Sequence, residues 1–377
     1  MVDYISKIMN YISSNMEEVF FTKATIVIKY VPSINLMNNH MNHIDMYSDE
    51  KRNYSISDIN VIDTDNCFYS DNIKKLVEPC KIGIKKNSFK EGWQLFYLYK
   101  ELLQQFINVD GFNYFRGQSD DYKLLPGSFR LSPNNEFRYA FEEIYRRLSF
   151  EFPDKVKYTQ LNDKTCIEER ELDLSLLQHY GLKTPLLDIT KNPYIAILFM
   201  LKDSFKDYRE PTLYLFKTNG NLAHSLFSEV KRSSFNERII AQKGAFLNFE
   251  KTYFAKEYNN KINYIKIVLK FDEEKYKKML DEEIVDAKEC LKDVEIKKIY
   301  ELHYEKSLND YIKNLRKEKK DMSDTKVNCL NSIALELNKK LQEYCYSLED
   351  MFPDFESRIN YLSKNYKQSD KKYLVYK

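Results

Sequence analysis

Apolar residues recur at two different spacings along the chain, and this alternation predicts a fold that mixes helices with a sheet. Over residues 4–19 they fall at helical spacing, and the β-branched run at 25–28 then predicts a strand. Residues 38–60 are polar and rich in Asn and Asp, which predicts a long loop. The short basic stretch at 85–90 marks a boundary, so residues 1–85 are expected to form a small N-terminal α/β unit.

The middle of the chain predicts both helices and strands. Helical spacing over 169–180 ends at a glycine, which is a common helix stop. An Asn-Pro pair at 192–193 can cap a helix whose body is apolar on all sides, as is typical of a buried core helix. Further helices are expected at 92–106 and 136–152, a turn and strand at 109–116, and strands at 212–217, 244–249 and 262–271.

The end of the chain carries one clear apolar stripe. It predicts a helix that Pro353 stops, and its members are Ile333, Leu337, Leu341, Tyr344 and Leu348. Residues 325–377 are therefore expected to form a helical C-terminal extension. The fold class that follows is α+β, a mixed helical and sheet domain between the small N-terminal unit and this helical tail.

Composition excludes several classes of protein. Lys and Arg total 59 against 57 Asp and Glu, so the net charge of +2 does not support nucleic-acid binding through bulk charge. No apolar run reaches the roughly 18 residues of a membrane span, and the N-terminal sequence lacks a signal-peptide pattern, so a cytoplasmic protein is expected. The six cysteines form no CxxC pair and the five histidines are dispersed, so no metal site is expected.

The common nucleotide-binding and catalytic motifs do not occur in the sequence. It has no GxxxxGK[ST], GxGxxG, HExxH or GxSxG pattern. The basic run at 313–320 is interpreted as a solvated helix face rather than a nucleic-acid patch. Candidate chemistry therefore rests on three less common stretches.

The first stretch runs from Tyr114 to Arg130 and contains an aromatic-Arg-Gly sequence at the end of an apolar strand. The guanidinium of Arg116 offers a rigid fork of donors to an anion or a planar polar group, and Gly117 would let a ligand approach the backbone. The alternative is that Arg116 is a salt-bridge partner of a buried carboxylate.

The second stretch spans residues 178–190 and places polar side chains between two apolar helices. We expect Gln178, His179, Asp188 and Thr190 to be at least half buried, and Asp188 to be mostly buried. Such groups either lock a loop or line a pocket, and four of them together favour a pocket. The third stretch, at 237–246, places Gln242 before a strand, where it is either part of the same site or exposed.

Together the three stretches resemble the FRG domain, which is named after its Phe-Arg-Gly motif. The motif residues are Phe115-Arg116-Gly117-Gln118, Leu125-Pro126, Arg130, 178–182, Thr184, Leu186-Leu187-Asp188 and 241–246. With a closing strand and helix at 294–311, the resemblance covers roughly residues 90–320. Two positions depart from the family pattern, because Pro185 stands where Arg is frequent and Ile189 where an aromatic residue is common.

The resemblance implies a bacterial or phage-encoded protein, since some FRG proteins are encoded beside defence or toxin genes. Phe115-Arg116-Gly117 is also similar to the first motif of mono-ADP-ribosyltransferases, in which the Arg holds NAD. That similarity implies an ADP-ribosyltransferase-like arrangement, with Thr184 or Thr190 and then Gln242 or Glu237 in its later motifs. The usual Glu-x-Glu or Gln-x-Glu is absent, because Lys243-Gly244 follows Gln242.

The leading hypothesis is a cytoplasmic effector of a defence or toxin system that binds a nucleotide such as NAD and transfers ADP-ribose to a protein or nucleic acid. Arg116 would hold the pyrophosphate or ribose, Gln118 and His179 the nicotinamide end or ribose, and Asp188 or Gln242 the acceptor or the ribosyl cation. The catalytic candidates are thus Arg116, His179, Asp188 and Gln242. The ligand-binding candidates are Gln118, Arg130, Gln178, Tyr180, Thr184, Thr190 and Arg238.

Three other functions fit the same residues. The pocket could sense a nucleotide or nucleic acid without turnover. It could hydrolyse a nucleotide or RNA, with His179 and Asp188 as acid and base. Finally, the motifs could only stabilise a core. No membrane partner is expected, and nothing in the sequence identifies a partner of the N-terminal unit.

Overall fold

A computed structural model of the protein describes residues 20–33, 54–64, 67–86, 94–130, 136–162, 165–201, 204–218, 225–229, 237–254, 261–292 and 302–365. The helix predicted at 4–19 lies outside the described residues. Residues 38–53 of the predicted loop also lie outside them. Among the helices of the described segments, none is both long enough and apolar enough to cross a membrane.

In the described segments eight strands form one mixed sheet, so the chain has the α+β fold that the sequence predicts. The strands are β1 (Phe21–Pro32), β2 (Tyr54–Thr64), β3 (Tyr114–Gln118), β4 (Leu186–Thr190), β5 (Thr212–Lys217), β6 (Phe227–Ser228), β7 (Gly244–Asn248) and β8 (Ile262–Phe271). Their order across the sheet is β2-β1-β8-β5-β3-β4-β7-β6. β1 and β8 are parallel, and the other neighbours are antiparallel. The sheet therefore continues across the boundary predicted at 85–90.

The predicted loop at 38–60 is wrong for residues 54–60, which belong to β2. In the pairing with β1, Ser57 and Ile62 are extra residues, because Lys29 pairs with Asp58 and Tyr30 with Ile56. Each bulge shifts the side chains by one position and breaks the alternation by which a strand is recognised in a sequence. The strands predicted at 25–28, 212–217, 244–249 and 262–271 are confirmed.

Helices cover both faces of the sheet. They are α1 (Cys67–Lys85), α2 (Gln94–Asn108), α3 (Glu136–Glu151), α4 (Cys166–His179), α5 (Pro193–Met200), α6 (Glu237–Ala241), α7 (Glu273–Lys292), α8 (Leu302–Lys320), α9 (Ser323–Glu343) and α10 (Phe355–Asn365). As predicted, Asn192 caps α5, and its side-chain oxygen accepts the backbone N–H of Tyr194 at 2.9 Å. α4 ends as predicted beside Gly181, whose φ of 95° is left-handed.

The C-terminal helix ends earlier than its apolar stripe predicts. α9 ends at Glu343, ten residues before Pro353, and Cys345 then adopts a left-handed φ of 61°. Tyr344 and Leu348 lie beyond the helix, so the prediction that they extend its stripe is wrong. Residues 346–354, which we name the C-terminal strap, contain only one short 3-10 turn at Glu349–Met351 and lead into α10.

The two faces of β3 contribute to different cores. Phe115 points into the larger core, which α2, α5 and α9 cover. Tyr114 points to the opposite face, where it joins Tyr214 and Tyr264 in an aromatic core. Two successive residues of this short strand are therefore buried on opposite faces of the sheet, as expected of a central strand.

A buried charged cluster connects α3 and α4 to the segment that follows β7. Arg170 of α4 is fully buried, and its Nε donates to both carboxylate oxygens of Glu250 at 2.9 Å. Its other nitrogens donate to Glu142 of α3. One guanidinium thus compensates two carboxylates in the protein interior, where an isolated charge would be costly.

Candidate functional site

The sheet opens between β3 and β4. Within these two strands only Phe115 and Thr190 are paired, whereas all five residues of β3 pair with β5 and all five residues of β4 pair with β7. The pair joins a larger part of the sheet, β2-β1-β8-β5-β3, to a smaller part, β4-β7-β6. Arg116 bridges the gap beyond it, because its Nη1 donates to the main-chain oxygen of Asp188 at 2.6 Å.

A cavity of about 360 Å³ lies at this opening. Its walls come from β3, α4, β4, α5, α6, β7 and the C-terminal strap. Seven of the residues predicted as site residues line it, namely Arg116, Gln178, His179, Asp188, Thr190, Arg238 and Gln242. Three segments that are distant in the sequence therefore contribute polar groups to one concave surface.

Arg116 and Asp188 are two charged groups of the cavity wall, and each affects the pKa of the other. Enclosure by protein lowers the pKa of Arg116 to about 10, an effect that the nearby Asp188 opposes, so the guanidinium is charged at neutral pH. The same enclosure raises the pKa of Asp188, while Arg116 opposes that rise. A cation and a carboxylate thus lie side by side in a partly desolvated site.

Asp188 is not buried as the sequence predicted. Leu187 and Ile189 point into the aromatic core, so the alternation of β4 directs Asp188 to the other face, where its surface is open to the cavity. The prediction placed Asp188 on a loop between apolar residues and a buried helix, whereas it lies in the middle of a strand. The exposed surface leaves the carboxylate accessible to a ligand.

A chain of hydrogen bonds fixes the orientation of the Asp188 carboxylate. Gln178 Nε2 donates to Asp188 Oδ1 at 2.7 Å, and the hydroxyl of Thr184 donates to Gln178 Oε1. Thr184 is buried and also accepts the backbone N–H of Leu186 at 3.2 Å. Thr184 therefore lies behind the cavity wall and acts on the site through Gln178, rather than through a ligand contact.

Gln118 has a similar supporting position behind Arg116. Its Oε1 accepts Arg116 Nε–H at 3.3 Å, and its Nε2 donates to the main-chain oxygen of Tyr122 at 2.9 Å. Gln118 is buried and does not line the cavity. Two protein acceptors thus hold Nε and Nη1 of the guanidinium, and no protein acceptor in the described part of the chain takes Nη2.

Arg130 and Tyr180 also lie outside the cavity lining. Arg130 is exposed and donates to the main-chain oxygen of Leu125 at 3.0 Å, but its charge lowers the pKa of both Arg116 and Asp188. Tyr180 is 60% exposed and contacts the edge of the His179 ring, with centroids 5.0 Å apart. Arg130 therefore adds positive potential beside the cavity, whereas Tyr180 packs on its outer side.

Thr190 and Gln242 hold the smaller part of the sheet together beside the cavity. The hydroxyl of Thr190 donates to the main-chain oxygen of Gln242 at 2.6 Å and accepts the N–H of Asn192 at 3.0 Å. The side chain of Gln242 donates to the main-chain oxygen of Met351 in the strap at 3.0 Å. Both residues thus have structural partners as well as a place in the cavity lining.

Gly117 has a different neighbour from the one expected. A Cβ added to it would lie 1.8 Å from the main-chain oxygen of Ala196 and 2.7 Å from the nitrogen of Met200, both in α5. The close approach that requires a glycine is therefore the packing of α5 on β3. Gly117 also lines the cavity, so the expectation that it lets a ligand approach the backbone stays a prediction.

Sequence reasoning missed the apolar walls and the strap. Phe199, Phe246 and Phe352 line the cavity, and Phe352 comes from the region predicted only as a helical extension. The apolar all-round character of α5 identified Phe199 as a core residue, but nothing in the sequence near Pro353 indicated a site. A contact between residues more than 150 positions apart has no local sequence signal.

The side chains that line the cavity also indicate which kind of ligand it suits. Among the described residues, no group of three or more His, Cys, Asp or Glu side chains is arranged to hold a metal ion. Among the described residues that line the cavity, the charged groups are one carboxylate and two guanidinium groups, and four phenylalanines supply apolar surface. This set suits an organic anion with a planar ring system better than a metal.

Part of the chain matches a known family model. No curated protein and no solved structure matches the chain. The family model for the FRG domain matches residues 112–209, a range that contains β3, α4, β4 and α5. Arg116, Gln178 and Asp188 lie inside that range, whereas Arg238, Gln242 and the strap lie outside it. The chain therefore carries an FRG domain, and this domain supplies Arg116 and Asp188 of the cavity wall.

Proposed function

We propose that the cavity binds a nucleotide, with NAD as the candidate ligand. The proposal rests on the hydrogen bonds of the Arg116 guanidinium, which fix two of its nitrogens. Gln118 and the Asp188 carbonyl hold its guanidinium in the opening of the sheet, and Nη2 has no protein acceptor within the described residues. A guanidinium fixed in this way presents two N–H groups to a phosphate or a ribose oxygen.

The other walls suit the remaining parts of a nucleotide. The volume of about 360 Å³ falls within the range of small-molecule sites. Phe199, Phe246 and Phe352 offer apolar surfaces for a base or a nicotinamide ring. The carboxylate of Asp188, oriented by Gln178, can accept hydrogen bonds from ribose hydroxyl groups.

The reaction that this arrangement supports is transfer of ADP-ribose. The bond between nicotinamide and the ribose breaks, nicotinamide leaves with the bonding electrons as a neutral molecule, and an acceptor nucleophile forms the new bond and loses its proton. Positive charge develops on the ribose as the first bond lengthens. The Asp188 carboxylate lies in a partly desolvated wall, where it would stabilise that charge more strongly than in water.

Binding and turnover are tested separately with the full-length protein. Titration with NAD and with ADP-ribose measures binding, and NAD labelled in its adenylate part reports transfer to protein or nucleic acid. We expect Arg116→Ala to bind at least about tenfold more weakly, which corresponds to ~1.4 kcal/mol. Arg116→Lys should not restore binding, because an ammonium group cannot replace a planar fork.

The variant series has a matched control and an internal stability check. Arg147 is an exposed arginine whose side chain is 78% accessible, so Arg147→Ala should bind like the wild type. Arg116→Ala should melt within a few degrees of the wild type, because water in the cavity can replace a guanidinium bound to a carbonyl oxygen. Unchanged binding by Arg116→Ala would refute the proposed site.

The products distinguish the alternative functions. Labelled protein or nucleic acid would support transfer, whereas free ADP-ribose and nicotinamide without labelling would indicate hydrolysis. Binding without any product would favour a sensor. The proposed role as an effector of a bacterial or phage defence or toxin system predicts that expression of the wild type, but not of Arg116→Ala, slows growth of a bacterial host.

A further inference from the structure

The C-terminal strap closes one side of the cavity through a small number of contacts. Phe352 forms part of the wall and meets the ring of Phe199 edge to face, with centroids 6.2 Å apart. The main-chain oxygen of Met351 accepts a hydrogen bond from the Gln242 side chain. The hydroxyl of Tyr346 accepts one from Asn192 Nδ2 at 2.9 Å. The strap thus holds cavity residues by side-chain contacts rather than by pairing with the sheet.

Arg238 makes the strongest of these contacts. Its Nε donates to Asp354 Oδ2 at 2.6 Å and its Nη2 donates to Asp354 Oδ1 at 3.2 Å. The third nitrogen donates to the main-chain oxygen of His179 at 3.1 Å, and the guanidinium lies over the ring of Phe352 at 5.4 Å. A fork that binds two carboxylate oxygens in parallel has the geometry with which arginine also binds phosphate.

We propose that Arg238 is a second anion-binding position of the cavity, and that Asp354 occupies it in the absence of ligand. This inference rests on the proposed nucleotide site and names the group that the second position takes, a phosphate of a diphosphate ligand. Arg116 lies in β3 and Arg238 in α6, so the two anion-binding positions come from different elements of the cavity wall. The strap is then the wall that a ligand must displace.

The balance of charge supports a dianionic ligand. With Asp354 in place, the charged groups in or beside the cavity are three arginines, Arg116, Arg130 and Arg238, and two carboxylates, Asp188 and Asp354. When the strap withdraws Asp354, the net charge of the remaining groups is about +2, which a pyrophosphate group would neutralise.

The test compares two Asp→Asn variants of the strap. Asp354→Asn removes the carboxylate from Arg238, and Asp350→Asn makes the same charge change at an exposed residue whose partner is Ser347. Inorganic pyrophosphate and ADP-ribose are the probes. We expect Asp354→Asn to bind both about tenfold more tightly than the wild type, since it loses an intramolecular competitor of millimolar effective concentration. Asp350→Asn should bind like the wild type.

A second measurement needs no variant. Hydrogen exchange of residues 346–354 in the wild type should accelerate when pyrophosphate is added, because the probe takes Arg238 from Asp354. Slower exchange, or pyrophosphate binding by Asp354→Asn that is equal to or weaker than the wild type, would overturn the proposal. If Asp354→Asn binds pyrophosphate more tightly than the wild type and Asp350→Asn do, but neither NAD nor ADP-ribose binds any of these proteins, the second anion position stands. The proposed nucleotide function then fails.

Discussion

Replacement of Gly117 by alanine tests the packing that holds the cavity together. The added Cβ would lie 1.8 Å from the Ala196 oxygen, whereas real Cβ contacts are almost never below 3.0 Å. Because that oxygen and the Met200 nitrogen belong to the backbone of α5, no side-chain rotation can relieve the clash, and the helix must move away from β3. Overpacking of a core typically costs about 1–3 kcal/mol, and a clash with rigid backbone lies at the upper end.

A smaller effect of opposite sign accompanies the clash. Alanine reduces the freedom of the unfolded chain relative to glycine, which stabilises a protein by about 0.4–1 kcal/mol where the residue fits. We therefore expect Gly117→Ala to lower the free energy of unfolding by ~2 kcal/mol or more. Urea unfolding measures this loss as a lower midpoint at an unchanged slope.

Gly244→Ala is the matched control, because Gly244 also lies on a strand and lines the same cavity. Its added Cβ would meet atoms of Ile239 at 3.6 Å, an ordinary contact, so its stability should equal or exceed that of the wild type. A Gly117→Ala protein as stable as Gly244→Ala would show that α5 does not pack directly on β3. A Gly117→Ala protein that is stable but loses nucleotide binding would instead indicate that Gly117 contacts the ligand.

Two further changes test the electrostatics. Arg170→Met leaves the carboxylates of Glu142 and Glu250 without their buried partner, so we expect a loss of ~3–5 kcal/mol in urea unfolding, and a loss below 1 kcal/mol would refute the cluster. Asp188→Asn removes a group whose folded pKa is raised above its usual 3.8, chiefly by enclosure. A raised acid pKa means that ionisation destabilises the folded state, so the stability of the wild type relative to Asp188→Asn should increase as the pH falls from 7 towards 4; a flat or opposite trend would contradict this.

Elements with a local signal could be predicted from the sequence. α5 is an example, since Asn192 and Pro193 mark its start and an apolar body marks its burial. β8 has the predicted bounds because most of its ten residues are β-branched or aromatic, which favours a strand. The candidate residues from three distant stretches also meet at one cavity, because each stretch combines polar side chains with a buried element.

Features that depend on distant neighbours could not be predicted. β4 forms all but one of its strand pairs with the distant β7, and without knowledge of that partner Asp188 was expected to be buried on a loop. The identity of Gly117 indicated a close approach, but only the position of α5 shows what approaches it. Asp354 is 116 positions from Arg238, so nothing near Pro353 suggested a wall of the site.

The single pair between β3 and β4 determines how the larger and the smaller part of the sheet are held together. Few hydrogen bonds resist their separation, yet the chain passes from one part to the other between β3 and β4, β4 and β5, β5 and β6, and again between β7 and β8. One of these covalent crossings contains α5, which rests on Gly117 of the larger part. The four crossings and the aromatic core, which contains Tyr114 of the larger part and Leu187 of the smaller part, therefore hold the two parts together where hydrogen bonds between β3 and β4 do not.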